Sequence, residues 1–354
     1  MAKQYHDIFQ QITEFSNIWL AWQKAARGKR SKISTATFEM ALEDQLITLQ
    51  QELQTQTWRP GGYYSFYIRD PKLRLISAAP FRDRVVHHAL CNIIEPIFER
   101  TFIGDSYANR KGKGTHSALN KAQQFTRRYR YVLQCDIRQF FPSIDHGVLY
   151  RLLSRKIIDQ QALRMIRQII NSSRLVYKQL DSNTASASKQ YQRLCGLPLG
   201  NLTSQFWANV YMNELDQFVK RQLRCPGYLR YVDDFLLFSD SKEQLWQWKN
   251  KIRDCLNSLF LEMHERSSTV YPTTQGIPFL GFRIYADYRH LKRKNGVNFS
   301  RRLKRLYRSY GRGEIDLDDL KHSLDGWIAH VEHADTWGLR RSLFSLPLPL
   351  RHRR

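Results

Sequence analysis

The chain switches between helical and strand-like hydrophobic periods. From Phe38 to Gln56 (FEMALEDQLITLQQELQTQ), Met40, Leu42, Leu46 and Leu49 recur near helical spacing, which predicts one amphipathic helix. Trp58-Arg59-Pro60-Gly61-Gly62 stops it, because proline lacks the helical N–H and the glycine pair favours irregular backbone. Tyr63 to Ile76 reads as two strands folded about Asp70-Pro71, and Val85 to Phe98 (VVHHALCNIIEPIF) as an apolar helix with Pro96 tightening its end. Tyr129 to Cys135 (YRYVLQC) is β-rich and stops at Asp136. Leu229 to Phe238 carries two short apolar runs with Asp233-Asp234 between them, a hairpin whose turn holds two carboxylates. Gly276 to Tyr285 (GIPFLGFRIY) predicts a further strand or hairpin. From Ser300 a basic helical segment is expected, then a second helix from Leu317 to His333. Ser182 to Gln192, rich in small polar residues, reads as an exposed loop.

Charge narrows the partners. The 354 residues hold 56 Lys+Arg against 32 Asp+Glu, a net charge of +24. Such an excess favours a polyanion, most often nucleic acid. A hydrophobic content of 42% excludes wholesale disorder, and the length suits one large domain or two to three small ones. Met1 to Gln10 is too polar for a secretory signal, and no apolar run approaches the ~20 residues of a membrane helix. Cys91, Cys135, Cys195, Cys225 and Cys255 are scattered without a CxxC pair, so neither a disulfide framework nor a zinc site is expected and a reducing cytosol fits. His330 and His333 in HVEH read as helix-surface residues.

The candidate chemistry lies in Asp136 and in Asp233-Asp234. Carboxylates clustered beside apolar strands need a positive companion. Hard oxygen ligands without His or Cys select Mg²⁺ or Mn²⁺, and two such ions about 3.5–4 Å apart suit in-line phosphoryl transfer. A bare Asp-Asp pair also suits a plain hairpin turn, so the flanking segments must decide.

Those segments resemble, in order, the blocks of reverse transcriptases. RLISAAPFRDRVVHHAL (Arg74 to Leu90) and SYANRKGKGTHSAL (Ser106 to Leu119) are similar to the first two blocks. CDIRQFFPSID (Cys135 to Asp145) resembles the motif of the first catalytic aspartate. GLPLGNLTSQFWANVYMNELD (Gly196 to Asp216) resembles the nucleotide-facing motif, YVDD (Tyr231 to Asp234) the catalytic hairpin, and GIPFLGF (Gly276 to Phe282) the primer grip. Leu199 and Gln205 stand where most of the family has glutamine and proline, a pattern similar to the reverse transcriptases of diversity-generating retroelements.

The resemblance implies an α+β right-hand polymerase. Residues 1–60 would form an N-terminal helical region and 61–130 the fingers. Residues 131–286 would form the palm, returning to the fingers near 150–195, and 287–354 a basic helical thumb. It implies that Asp136, Asp233, Asp234 and the Ile137 carbonyl hold two Mg²⁺ ions, with Mn²⁺ as substitute. Lys72, Arg74, Phe141, Leu199, Gly200 and Gln205 would meet the deoxynucleoside triphosphate, Phe141 as the gate against a ribose hydroxyl. Arg110, Lys111, Lys113, Arg301, Arg302, Lys304 and Arg305 would grip template RNA and the RNA/DNA duplex. It further implies a bacterial or phage-encoded cytoplasmic enzyme, no membrane, a small helical accessory protein, and complementary DNA with errors opposite template adenines. A retron-like or antiphage enzyme of ordinary fidelity and a non-catalytic, maturase-type RNA-binding protein are the alternatives. The intact aspartate set argues against the second, since binding RNA requires no carboxylates.

Overall fold

The computed structural model describes residues 3–69, 73–173 and 194–345. Four helices open the chain: α1 (Ile8–Thr13), α2 (Phe15–Ala26), α3 (Ile33–Glu39) and α4 (Leu42–Gln54). The single helix expected over Phe38–Gln56 is therefore two. Ala41 leaves helical backbone at φ −128°, and Met40, expected on the apolar face, is 88% exposed. Packing breaks the period: Phe38 meets Phe81 edge-on at 5.1 Å between ring centroids, while Leu46, Leu49 and Leu53 enter the core from the following helix.

Strands β1 (Tyr64–Arg69) and β2 (Leu73–Ala78) pair antiparallel from Tyr64↔Ala78 to Arg69↔Leu73. Their tip, Asp70 to Lys72, lies outside the described residues, as does the loop expected at Ser182–Gln192. Helix α5 (Phe81–Glu99) runs through Pro96 to Glu99, one residue past the expected end, and begins four residues before Val85. Proline removes one ladder bond, a loss the helix sustains because Ile94, Ile97 and Phe98 are buried on both sides of it.

The central sheet has the order β4 (Gly227–Tyr231), β5 (Asp234–Ser239), β3 (Tyr131–Cys135), β6 (Thr269–Pro272), and every pair is antiparallel. Its period-two alternation divides two cores. Leu133, Cys135, Phe235 and Leu237 join the larger core, which includes residues of α5, α8 (His146–Ser154), α9 (Gln160–Ser172), α10 (Leu202–Gln217) and α11 (Lys242–Ser258). Val132, Leu236 and Phe238 face the opposite way, toward α6 (Thr115–Arg128) and the small sheet β7 (Ile277–Phe279), β8 (Phe282–Ile284), β9 (Arg289–Leu291). The β7–β8 turn places Leu280 at φ 44° and Gly281 at φ 91°, the two positive values that a tight hairpin requires.

Three helices follow: α12 (Arg293–Gly311), α13 (Leu317–Val331) and α14 (Trp337–Phe344). The basic helix thus begins seven residues before Ser300. Trp327 lies flat on Phe299 at 3.7 Å, and Phe299, Leu303 and Leu343 form a separate small core. The arrangement is the α+β right hand: a sheet-centred palm, an outlying hairpin and a terminal helical unit.

Candidate active site

Asp136 follows β3, and Asp233 sits in the β4–β5 turn, so the antiparallel pairing of β3 with β5 brings strand end and turn together. Both residues are half-buried. Burial holds the Asp233 carboxyl above the ordinary carboxylate range, and Asp136 pushes it the same way; Arg74 and Arg230 oppose this. Two acids that repel each other in a desolvated cleft fit a shared cation. Ile137 fits as an oxygen donor: Arg138 and His264 carry the bridge to the 262–264 segment, leaving the Ile137 carbonyl outside it. Asp234 starts β5 and feels Lys292, just ahead of α12, so the two hairpin acids meet different surroundings. Among the described residues no group of three acids, histidines or cysteines is already gathered at metal-holding distance.

The hairpin turn is strained and strapped from behind. Val232, a β-branched residue, adopts φ 57°, a conformation that costs roughly 1–3 kcal/mol. Arg230 is fully buried; its Nη1 donates to the Val232 carbonyl at 3.0 Å, and its Nε and Nη2 donate to the two Asp216 oxygens at 2.8 and 2.7 Å. Tyr228 donates to Asp216 at 2.7 Å, while Asn209 and Ser106 accept from the remaining guanidinium edge. Sequence reading missed this network. The one signal was an arginine inside an apolar strand run, two residues before the turn.

Around the aspartates, the segment before α10 is hung between two elements. Leu197 N donates to Phe141 O at 2.9 Å, and Ser77 N of β2 donates to Leu199 O at 2.9 Å. Phe140 is 3% exposed and packs in the core; Phe141, half-buried in the short helix α7 (Phe140–Ser143), meets it edge-on at 5.3 Å. Arg74 acts on Asp233 through its charge, while Phe141 and Leu199 are tied through their backbone carbonyls to the segment before α10 and to β2. Gly200 and Gln205 line a different pocket with Lys24 and Lys29, and Lys72 lies outside the described residues.

Arg110 corrects an expectation. Its guanidinium is held by Glu99 at 2.6 Å and by the Ile103 and Ser106 carbonyls at 2.6 and 2.8 Å, so it builds the loop and presents little to a template. Lys113 donates to Gly104 O at 2.8 Å, and Lys111 is exposed. On α12, Arg301, Arg302 and Arg305 line an open cleft of about 690 Å³ with Arg69 of β1, and Lys304 is exposed nearby. A cleft with arginines from both the hairpin and the terminal helices suits a polyanion passing between them.

Helix α13 meets α6 through histidines. The His116 ring stacks on His333 at 3.5 Å between centroids and lies 6.1 Å from His330. Burial together with the neighbouring histidines holds His116 and His330 below 6.5, and Arg289 adds to the effect on His116. The undocked state then binds more protons, so docking is intact above pH 6.5 and weakens as pH falls below it. The protection of α13 amides, measured against their intrinsic exchange rates, is expected to fall between pH 7 and 5, and His116→Phe to reduce that fall.

The family model described as reverse transcriptase (RNA-dependent DNA polymerase) matches residues 68–284. The chain is 23% identical over 308 residues to the group II intron-encoded protein LtrA of Lactococcus lactis subsp. cremoris, covering 68% of this chain and 50% of LtrA. It is 24% identical over 283 residues to protein YkfC of Escherichia coli (strain K12), covering 78% of this chain and 66% of YkfC. The structure of telomerase from Candida albicans with a TWJ fragment of telomeric RNA aligns at TM-score 0.43 and 12% identity, over 73% of this chain and 52% of that one. The chain thus spans half to two thirds of the length of the two sequence relatives. Because the family match extends over more than half of the residues and contains Asp136, Asp233 and Asp234, the chain belongs to the reverse transcriptase family.

Proposed function

We propose that this chain is an RNA-directed DNA polymerase that copies a retroelement template RNA with errors concentrated opposite adenine. The polymerase part is supported by the cleft in which Asp136 and Asp233 repel each other under the field of Arg74. Asp136, Asp233, Asp234 and the Ile137 carbonyl would hold two Mg²⁺, or Mn²⁺, ions. Ions bound there would supply the charge neutralisation for in-line attack of a primer 3′-hydroxyl on the α-phosphate of a deoxynucleoside triphosphate, the α–β phosphoanhydride bond breaking and pyrophosphate leaving. Arg74 orients the triphosphate, its planar fork suiting phosphate oxygens. Phe141 would exclude a ribose hydroxyl by steric clash, and the basic face of α12 would hold the duplex. A small helical accessory protein of the retroelement completes the proposal, drawn to this cationic chain by an acidic face or by bridging RNA.

The mutagenic part rests on Leu199. Its apolar side chain forms no hydrogen bond to a base pair, so discrimination against a wrong pair weakens, by about 1–3 kcal/mol for a lost bond. That is about five- to 150-fold in error rate. The test is extension of a primed RNA template with Mg²⁺ and four deoxynucleotides, with and without the accessory protein, products being sequenced by template base. Errors clustered at adenine are expected, reduced about tenfold in Leu199→Gln. Uniformly accurate copying removes the diversity-generating assignment and leaves the polymerase; RNA binding without synthesis removes both.

A further inference from the structure

The hairpin that carries Asp233 and Asp234 has a second support, on the opposite face of its sheet from Arg230. Successive residues of a strand point to opposite faces. Tyr228 and Arg230 turn toward α10, where both bond Asp216. Leu229 and Tyr231 turn toward the other core, which holds Ala118 and Leu119 of α6. There the Tyr231 hydroxyl meets the hydroxyl of Thr115, the first residue of α6, at 3.0 Å between oxygens. Both residues are half-buried.

Backbone bonds fix that meeting. Residues 105–107 run beside β4: Arg230 N donates to Asp105 O at 2.9 Å, and Tyr107 N donates to Arg230 O at 3.0 Å. Tyr107 O in turn accepts from Gly114 N at 2.9 Å. Gly114 holds φ 110°, a backbone region that suits glycine, and α6 begins at the next residue. Thr115 is therefore registered against β4 by main-chain bonds before its side chain makes any contact. The same helix turn is held again by His116, whose ring stacks on His333. A hydroxyl carried on so fixed a mount loses little conformational freedom when it bonds. Tyr231 is the last residue of β4, and it pairs with Asp234, the first of β5.

We infer that Thr115 is a positioning residue: through the Tyr231 hydroxyl it fixes the end of β4, and with it the Asp234 carboxylate. Arg230 does the corresponding work for the Val232 side of the turn, so the two hairpin acids have separate supports on opposite faces of the sheet. The effect on DNA synthesis rests on the polymerase reading; the effect on the hairpin does not. Without the hydroxyl bond the Tyr231–Asp234 pair frays more often, and Asp234 spends less time in the place its chemistry requires.

The test is Thr115→Val in the full chain, which keeps the β-branched shape and removes the hydroxyl. On a primed RNA template with Mg²⁺, the single-turnover incorporation rate should fall about five- to tenfold, the loss expected for one hydrogen bond. Template affinity and thermal unfolding should stay at the parent's values. Thr115→Ser, which retains the hydroxyl, should restore the rate. In a Tyr231→Phe background, Thr115→Val should slow incorporation no further, because the bond is already absent. Hydrogen exchange of the metal-free protein gives a readout independent of synthesis: the Tyr231 and Asp234 amides should exchange faster in Thr115→Val and at the parent's rate in Thr115→Ser. An unchanged rate in Thr115→Val, an equal further loss in the Tyr231→Phe background, or unaltered exchange overturns the inference. A parent that makes no DNA overturns the polymerase reading instead, and the exchange rates then decide the role of Thr115 by themselves.

Discussion

Asp233→Asn is expected to lower DNA synthesis on a primed RNA template by about 10³-fold or more while leaving RNA affinity unchanged. In the proposed reading the carboxylate is needed where charge develops, whereas the cations that would meet RNA lie elsewhere, Arg69 and the arginines of α12 among them. The same substitution should preserve or raise thermal stability. Burial and Asp136 lift the folded Asp233 carboxyl above 3.8. A group raised in this way stabilises the fold only while protonated, below its unfolded value, and that contribution is lost as pH rises through the folded value. At neutral pH the ionised Asp233 is therefore a net cost, which asparagine removes. Lost activity with retained or higher melting temperature separates a functional acid from a structural one. Equal activity would remove Asp233 from the chemistry, and a lower melting temperature would make it a turn-former.

Asp216→Ala should do the reverse: destabilise first, and lose activity through the hairpin. It leaves the Arg230 guanidinium buried at 0% exposure without its carboxylate and the Tyr228 hydroxyl without its acceptor. Breaking a buried pair on one side costs about 3–5 kcal/mol, measurable as a lower urea midpoint. Arg230 then has no anchor from which to hold the Val232 carbonyl, and the strained turn carrying Asp233 is free to relax. Replacing both partners, Asp216→Leu with Arg230→Met, should cost less than Asp216→Ala, because no uncompensated charge remains. Activity should stay low in the double variant, since the strap to Val232 is absent. A double variant as unstable as the single one would show that packing, not charge, dominates there.

The aspartates and their strands were legible because they depend on local pattern. Asp136 ends a β-rich run and Asp233-Asp234 interrupts another, and period-two alternation is written into those residues. The β7–β8 hairpin was legible in the same way, although nothing local announced that Leu280 would share its left-handed turn with Gly281. Helix ends were less so. Met40 and Ala41 carry helix-compatible residues, yet the chain turns there so that Phe38 and Leu46 can reach different neighbours. Arg110 read as a template contact because its sequence neighbours are basic and glycine-rich. Glu99, eleven positions away, claims its guanidinium.

The sequence by itself determined the class of the protein: six segments that resemble the family's blocks in order, three aspartates at strand ends, and a positive charge suited to nucleic acid. Those follow from residue type and spacing along the chain. Tertiary structure decided which cations face ligand and which are already satisfied, because pairing depends on groups far apart in sequence. It tied Arg230 to Asp216 and Val232, moved Gln205 to a pocket shared with Lys24 and Lys29, and gathered His116 with His330 and His333. Desolvation and charge proximity act through space, so only the folded arrangement could assign them.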